Sequence, residues 1–402
     1  MANTSSFDLL PTETIIRIFT IVSQCTDVRS LQSNSAFPSA ALRVNQRWRD
    51  IAQATPSIWT NPIVVAHESA GRRLKDHLQY CPPVQLEHLD VLVPALGGVT
   101  RDNQMADRLF NAIHFRQDTR SLRSIRLVAG EGASTVSVVY AHEALSRAWG
   151  PTLERLEMVG CGVLTETGQT VEEIIPFESG LGWYRQLRFL ALENISIGGL
   201  QMVKGQIRRY CLPDLEELHL TKVDSTALAL PSYYSMPKLY IIAIDCSSGS
   251  STTSTRPPNN EGLAAYRTLY IRARYMVLYN IPSSVDIRKI LRHSFRAEYL
   301  ALTFDDHHDF ESDLLPMLMA ARSLHSLSFC SRHPSLKLIR RIVESRLPRL
   351  LTIELDRSAI LDADDEDLQW LRANARLELR SEGELEFSHV LGRVAGLRPL
   401  VG

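Results

Sequence analysis

Lysine is nearly missing from this chain of 402 residues: Lys75, Lys204, Lys222, Lys238, Lys289 and Lys337 are the whole complement. Arginine supplies the remaining positive charge; so few lysines leave few sites for modification of the chain itself, and genomic codon bias, the preferred reading, would give the same count without selection. Neither sign of charge is in excess. The net charge is -1 and charged residues make up 22%, which gives no electrostatic footprint for nucleic acid or an anionic membrane. Long apolar runs are lacking too. No window approaches the roughly 18 continuous apolar residues that a membrane helix needs. The start, MANTSSFDLL, has no basic stretch ahead of an apolar one, so no secretory signal is expected.

Cysteine is sparse and scattered: Cys25, Cys81, Cys161, Cys211, Cys246 and Cys330 form no CxxC pair. That spacing suits neither a zinc site nor a disulfide-dense module, and it reads as reduced thiols of a protein in the cytosol or nucleus. No Gly-rich phosphate loop, HExxH helix, nucleophile elbow or kinase signature occurs. No catalytic residue and no cofactor is therefore expected. One cluster, Asp305, Asp306, His307, His308 and Asp309, combines hard carboxylates with imidazoles. Those groups suit a divalent metal and would serve a metal-assisted hydrolase. Consecutive residues rarely converge on one ion, so a solvated turn that caps a helix is the preferred reading, and no metal is expected.

What the chain does have is apolar pattern, 45% hydrophobic residues, enough to bury a large core. After Leu10 and Pro11, the residues Ile15, Ile16, Ile18, Phe19 and Val22 fall at helical spacing on a broad stripe. Pro11 suits the first turn, and Glu13 favours the positive end of a helix. A second helical pattern runs from Ala40 to Ala52, with Leu42, Val44, Trp48, Ile51 and Ala52 on its apolar side. Pro56 stops it, and Trp59 leads into an extended Ile63-Val64-Val65 run. A unit this small cannot hide all these side chains, so a partner is expected to cover some of them.

Leu10-Pro11, Glu13, Ile15-Ile16-x-Ile18-Phe19, Val44, Arg47-Trp48, Ile51-Ala52 and Trp59 resemble, in order and approximate register, an F-box. The closing phrase Ala54 to Trp59 is especially similar to those of basidiomycete fungal F-box proteins. The resemblance implies a three-helix module over residues 1–65 that docks on a Skp-family adaptor and through it on a cullin. Leu10, Pro11, Ile16 and Phe19 would be the contacts, and Trp48 would anchor the module's packing and its edge of the interface. Two departures stand out: Asn45 occupies a place where the family often has cysteine, and residues 26–39 are longer and more polar than the usual connection. The alternative is a helical cap on the end of a repeat array.

Residues 66–402 carry a recurring apolar-x-x-apolar-x-apolar phrase. It starts at Leu86, Leu122, Leu153, Leu187, Leu215 and Leu239, then more weakly at Tyr266, Ala297, Leu324, Leu350 and Asn374. The spacing is that of loose leucine-rich repeats. Each phrase ends in a strand-like pair such as Ile125 with Leu127, or Leu218 with Leu220. Helix-like segments lie between, most clearly Gly199–Tyr210, Val285–His293, Phe310–Ala321, Leu336–Arg346 and Asp364–Ala373. The expected fold is therefore α/β: a three-helix module, then an irregular solenoid with parallel strands on a concave face and helices on a convex face. Another α/β arrangement of the same phrases stays open. The Ser-, Thr-, Pro- and Gly-rich segment 247–262 is expected to be a mobile surface insert.

Residues flanking each inward pair are expected to be exposed. Arg126, Arg155, Phe189, His219 and Tyr299 are the ones chosen to grip a target protein, with no nucleic acid or membrane involved. The function expected on this reading is a non-catalytic substrate receptor of a cullin ubiquitin ligase. An adaptor-binding scaffold with no ubiquitination role is the alternative, and the hydrolase is the least favoured.

Overall fold

The computed structural model describes residues 10–25, 41–59, 63–65, 87–93, 122–129, 150–160, 184–194, 210–222, 234–246, 273–281, 296–303, 310–329, 335–347, 349, 351–357 and 366–396. The chain divides into two compact units, Met1–Leu187 and Arg188–Gly402. The helical module and the first repeats share the first unit.

In the first unit, helix α1 (Thr12–Cys25) and helix α2 (Gln46–Gln53) are followed by a short 3-10 turn, Pro56–Trp59. Strands β1 (Ile63–Val65), β2 (His88–Val93), β3 (Ser124–Ala129) and β4 (Arg155–Val159) then pair in chain order, all parallel. Parallel neighbours cannot be joined by a tight turn, so each needs a crossover, and the long repeat period follows from that.

The second unit repeats the plan. Strands β5 (Phe189–Glu193), β7 (Glu217–Thr221), β9 (Ile241–Asp245), β10 (Tyr275–Tyr279), β11 (Tyr299–Leu302), β12 (Ser326–Phe329), β13 (Thr352–Asp356) and β14 (Arg376–Arg380) pair in that order, again all parallel. Two short strands, β6 (Tyr210–Cys211) and β8 (Tyr234–Ser235), make a small parallel pair of their own. Helices α3 (Leu315–Ala320), α4 (Leu336–Glu344) and α5 (Glu366–Asn374) form crossovers between β11 and β14, and helix α6 (Phe387–Gly396) follows β14. The fold is α/β, a solenoid-like repeat of parallel strands.

The inward pairs are where the phrase puts them: Ile125, Leu127, Leu218, Leu220, Leu327 and Phe329 are all buried. One phrase is misplaced. The strand between β9 and β11 is not Tyr266–Ile271, which lies outside the described residues, but Tyr275–Tyr279, built on the same spacing at Ala273, Met276 and Leu278. The expected helix at 199–210 lies outside the described residues apart from Tyr210, which is in β6, and the expected helix at 285–293, the insert 247–262 and the stretch 26–40 lie wholly outside them.

Strand starts are locked by a repeated rung. The backbone N–H groups of Glu216 and Glu217 both donate to Arg188 O, those of Tyr240 and Ile241 to Glu216 O, and those of Arg274 and Tyr275 to Tyr240 O. Strand ends share another device: Asn194, Lys222 and Asn280 each follow a strand with φ of 53°, 53° and 48°. This left-handed turn costs an ordinary side chain energy, and asparagine suffers least.

Helix α6 has no counterpart in the repeat reading. Its Val390 and Val394 are fully buried against Ile241, Ala243, Val277, Tyr279, Tyr299 and Ala301. Of these, Ile241, Ala243, Tyr299 and Ala301 are outward residues of β9 and β11 that were expected to be exposed and are found buried. The physical reason is the strand composition. Ile241-Ile242-Ala243-Ile244 is apolar on both faces, as a strand covered on both sides must be. Burying the two valines contributes up to about 3–6 kcal/mol.

Candidate functional site

The helical module is held by a few specific contacts. The carbonyl of Pro11 accepts from the N–H groups of Thr14 and Ile15, so this residue caps α1 from outside the helix. Arg47 Nη2 donates to Leu10 O at 2.6 Å, tying the Leu-Pro pair to α2. Phe19 is buried and meets the ring of half-buried Trp48 edge-on, centroids 5.2 Å apart. Asn45 is the N-cap of α2, its Oδ1 accepting from Trp48 N at 2.8 Å. Trp59, with no exposed surface, donates from Nε1 to Ala52 O at 2.8 Å and closes the unit.

With Ile15 and Phe19 turned inward, the flank of α1 beside them is left apolar and wet. Ile18, Ile21 and Val22 are 36%, 50% and 39% exposed, and Val44 on the turn before α2 is 56% exposed. Pro11, seven residues before Ile18, is exposed on the same side of the helix. Of six large apolar side chains exposed among the described residues, four belong to this module. Ile16 and Leu10 are half-buried. The exposed stripe is therefore Pro11, Ile18, Ile21 and Val22, three of which sequence reasoning did not single out as contacts; their spacing of three and four was the available signal.

The outward sheet face of the first unit is polar. Glu157 is gripped by both target candidates there, Arg126 at 3.4 Å and Arg155 at 2.6 Å. His88 bridges Ser124 Oγ at 2.7 Å and Asp90 Oδ1 at 3.0 Å. These side chains are partly or well exposed and compensate one another's charge.

The same face in the second unit is closed. Phe189 and His219 are buried and meet edge-on at 4.7 Å, and His219 Nε2 lies 3.4 Å from the buried Glu217 carboxylate. Tyr299, 5% exposed, lies in the cluster under α6, and its hydroxyl donates to Glu354 Oε2 at 3.2 Å. Beside it Tyr275 stacks at 6.4 Å. Burial, then the hydrogen bond with Tyr240, push the Tyr275 phenol up to about 12, so it stays neutral. Sequence reasoning thus named three residues for an open surface that are packed inside. Arg126 and Arg155 are the two that face solvent.

The Asp305–Asp309 cluster lies outside the described residues; among those described, no group of three His, Cys, Asp or Glu side chains is placed to hold a metal. Among the described residues no helix is long and apolar enough to cross a membrane. No known family model matches the chain, and no curated protein matches it either.

Proposed function

We propose that this chain is the substrate-recognition subunit of an SCF-type cullin ubiquitin ligase. The helical module is an F-box that docks on a Skp-family adaptor, and the repeat units hold a target protein. The observation that carries the reading is the exposed stripe of Pro11, Ile18, Ile21 and Val22, with Val44, on a module whose remaining apolar residues are spent on its own packing. Covering such a stripe is worth several kcal/mol to a partner that offers a groove for an amphipathic helix. The protein performs no bond chemistry on this reading. It raises the effective concentration of a target lysine near the ubiquitin-conjugating enzyme.

The test is a pull-down of a recombinant Skp-family adaptor by the full chain, beside Leu10→Ala with Pro11→Ala. Retention by the wild type and loss in the variant support the reading; no retention of the adaptor by the wild type removes it. A second reading, an adaptor-binding scaffold that directs ubiquitin to nothing, is favoured by α6 already occupying the outward face of β9 to β11. Target half-life with and without the chain separates the two.

A further inference from the structure

The sheet face beneath α6 is shaped for a helix. Parallel register aligns Ala243, Val277 and Ala301 in one row across β9, β10 and β11. The row on one side is Ile241, Tyr275 and Tyr299, and the row on the other contains Asp245 and Tyr279. Small residues between bulky ones make a trough across the strands, with its apolar floor buried. The row of small residues continues through Ser328 to Glu354.

α6 fills this trough through Phe387, Val390, Leu391 and Val394, offsets of zero, three, four and seven. Its Arg393 reaches Glu354, Nη2 to Oε2 at 3.0 Å. The hydroxyl of Tyr279 donates to Leu385 O, and its ring meets Phe387 edge-on at 5.2 Å.

Yet α6 is a poor helix by itself. Its ten residues include Gly392 and Gly396, and open space surrounds the position a Cβ would take at either. No packing demands glycine there, so the sequence gives up helix stability that alanine would supply. Docking on the trough, and little else, keeps α6 helical.

We propose that the trough of β9 to β11, with Glu354 at its end, is a binding site for an amphipathic helix. α6 fills it in cis, and a partner protein's helix with the same apolar spacing and a basic residue just before its last apolar position displaces α6 in trans. This inference is independent of the adaptor reading.

The experiment uses the full chain and a fluorescein-labelled synthetic peptide of residues 381–396. Val390→Glu with Val394→Glu dislodges the cis helix. That variant is expected to bind the peptide at least tenfold more tightly than wild type, and a peptide carrying the same two substitutions is expected not to bind. A cooperatively melting double variant that fails to bind the peptide overturns the proposal. If that variant does not fold, hydrogen exchange on the wild type decides. Amides of 387–396 are expected to exchange faster than those of β10, and Gly392→Ala is expected to slow them about fivefold. Protection equal to that of β10 means that α6 is a fixed part of the core, and the proposal falls.

Discussion

Single residues carry separable jobs that mutation can read. Asn45 holds α2 through one capping bond to Trp48 N. Asn45→Ala is expected to cost about 1 kcal/mol and Asn45→Ser almost nothing, measured by urea unfolding. Lys222 has a left-handed backbone with φ of 53°. Lys222→Gly is expected to raise stability by about 0.5–1 kcal/mol, since relief of strain exceeds the entropy glycine adds to the unfolded chain. The contrast between Tyr299 and Arg155 tests which outward positions are inside. Tyr299→Ala should cost about 3–5 kcal/mol, because it empties a packed site and strips Glu354 of a donor. Arg155→Ala, at an exposed ion pair, should change stability by less than about 0.5 kcal/mol. Equal effects from the two would contradict the burial described.

At the scale of elements, the buried guanidinium of Arg346 shows how one repeat fastens the next. It donates to Leu318 O at 2.6 Å at the end of α3, and burial, then Arg349, lowers its pKa. Arg346→Ala should destabilise the chain by about 1.5–3 kcal/mol through unmet carbonyls. The approach to α6 is set by a capping box, Ser381 with Glu384. Hydrogen bonds from the backbone and side chain of Ser381 hold the Glu384 pKa below the ordinary range. A depressed folded pKa means that its stabilisation is present above the unfolded value, about 4.3, and is lost as pH falls through the folded one. The stability difference between wild type and Glu384→Gln should therefore be full at neutral pH and vanish in acid.

Much of this level was readable in advance. The repeated phrase located the strands and their inward pairs because period-two alternation fixes which side chains face the core. It failed at β10, where Tyr266–Ile271 and Ala273–Leu278 carry the same spacing and only pairing with β9 and β11 chooses between them. It also missed α6. Phe387, Val390, Leu391 and Val394 form a visible helical stripe after a visible capping box, but which surface the stripe covers depends on contacts distant in sequence. The hint lay in Ile241, Ala243, Tyr299 and Ala301, apolar residues on a face assigned to solvent.

At the scale of the whole molecule, each unit carries a different kind of surface. The first has an apolar stripe on α1 and a charge-compensated sheet face; the second has its outward face filled by its own C-terminal helix. Helices α1 and α2 were legible between Leu10 and Trp59 because their helix signals are local. The exposed stripe was legible only in part, since a helix pattern marks apolar residues without saying which side the module itself consumes. Phe19 goes inward to Trp48, while Ile18, Ile21 and Val22 stay out.

The central claim is that this stripe binds a Skp-family adaptor, and calorimetric titration of the full chain with that adaptor tests it most directly. Ile18→Asp with Val22→Asp places two charges on exposed positions, so thermal unfolding should be unchanged. Adaptor affinity should fall at least a hundredfold, the loss of about 3 kcal/mol expected when two half-exposed apolar contacts are replaced by charge. Equal affinity in the double variant and the wild type would contradict the account.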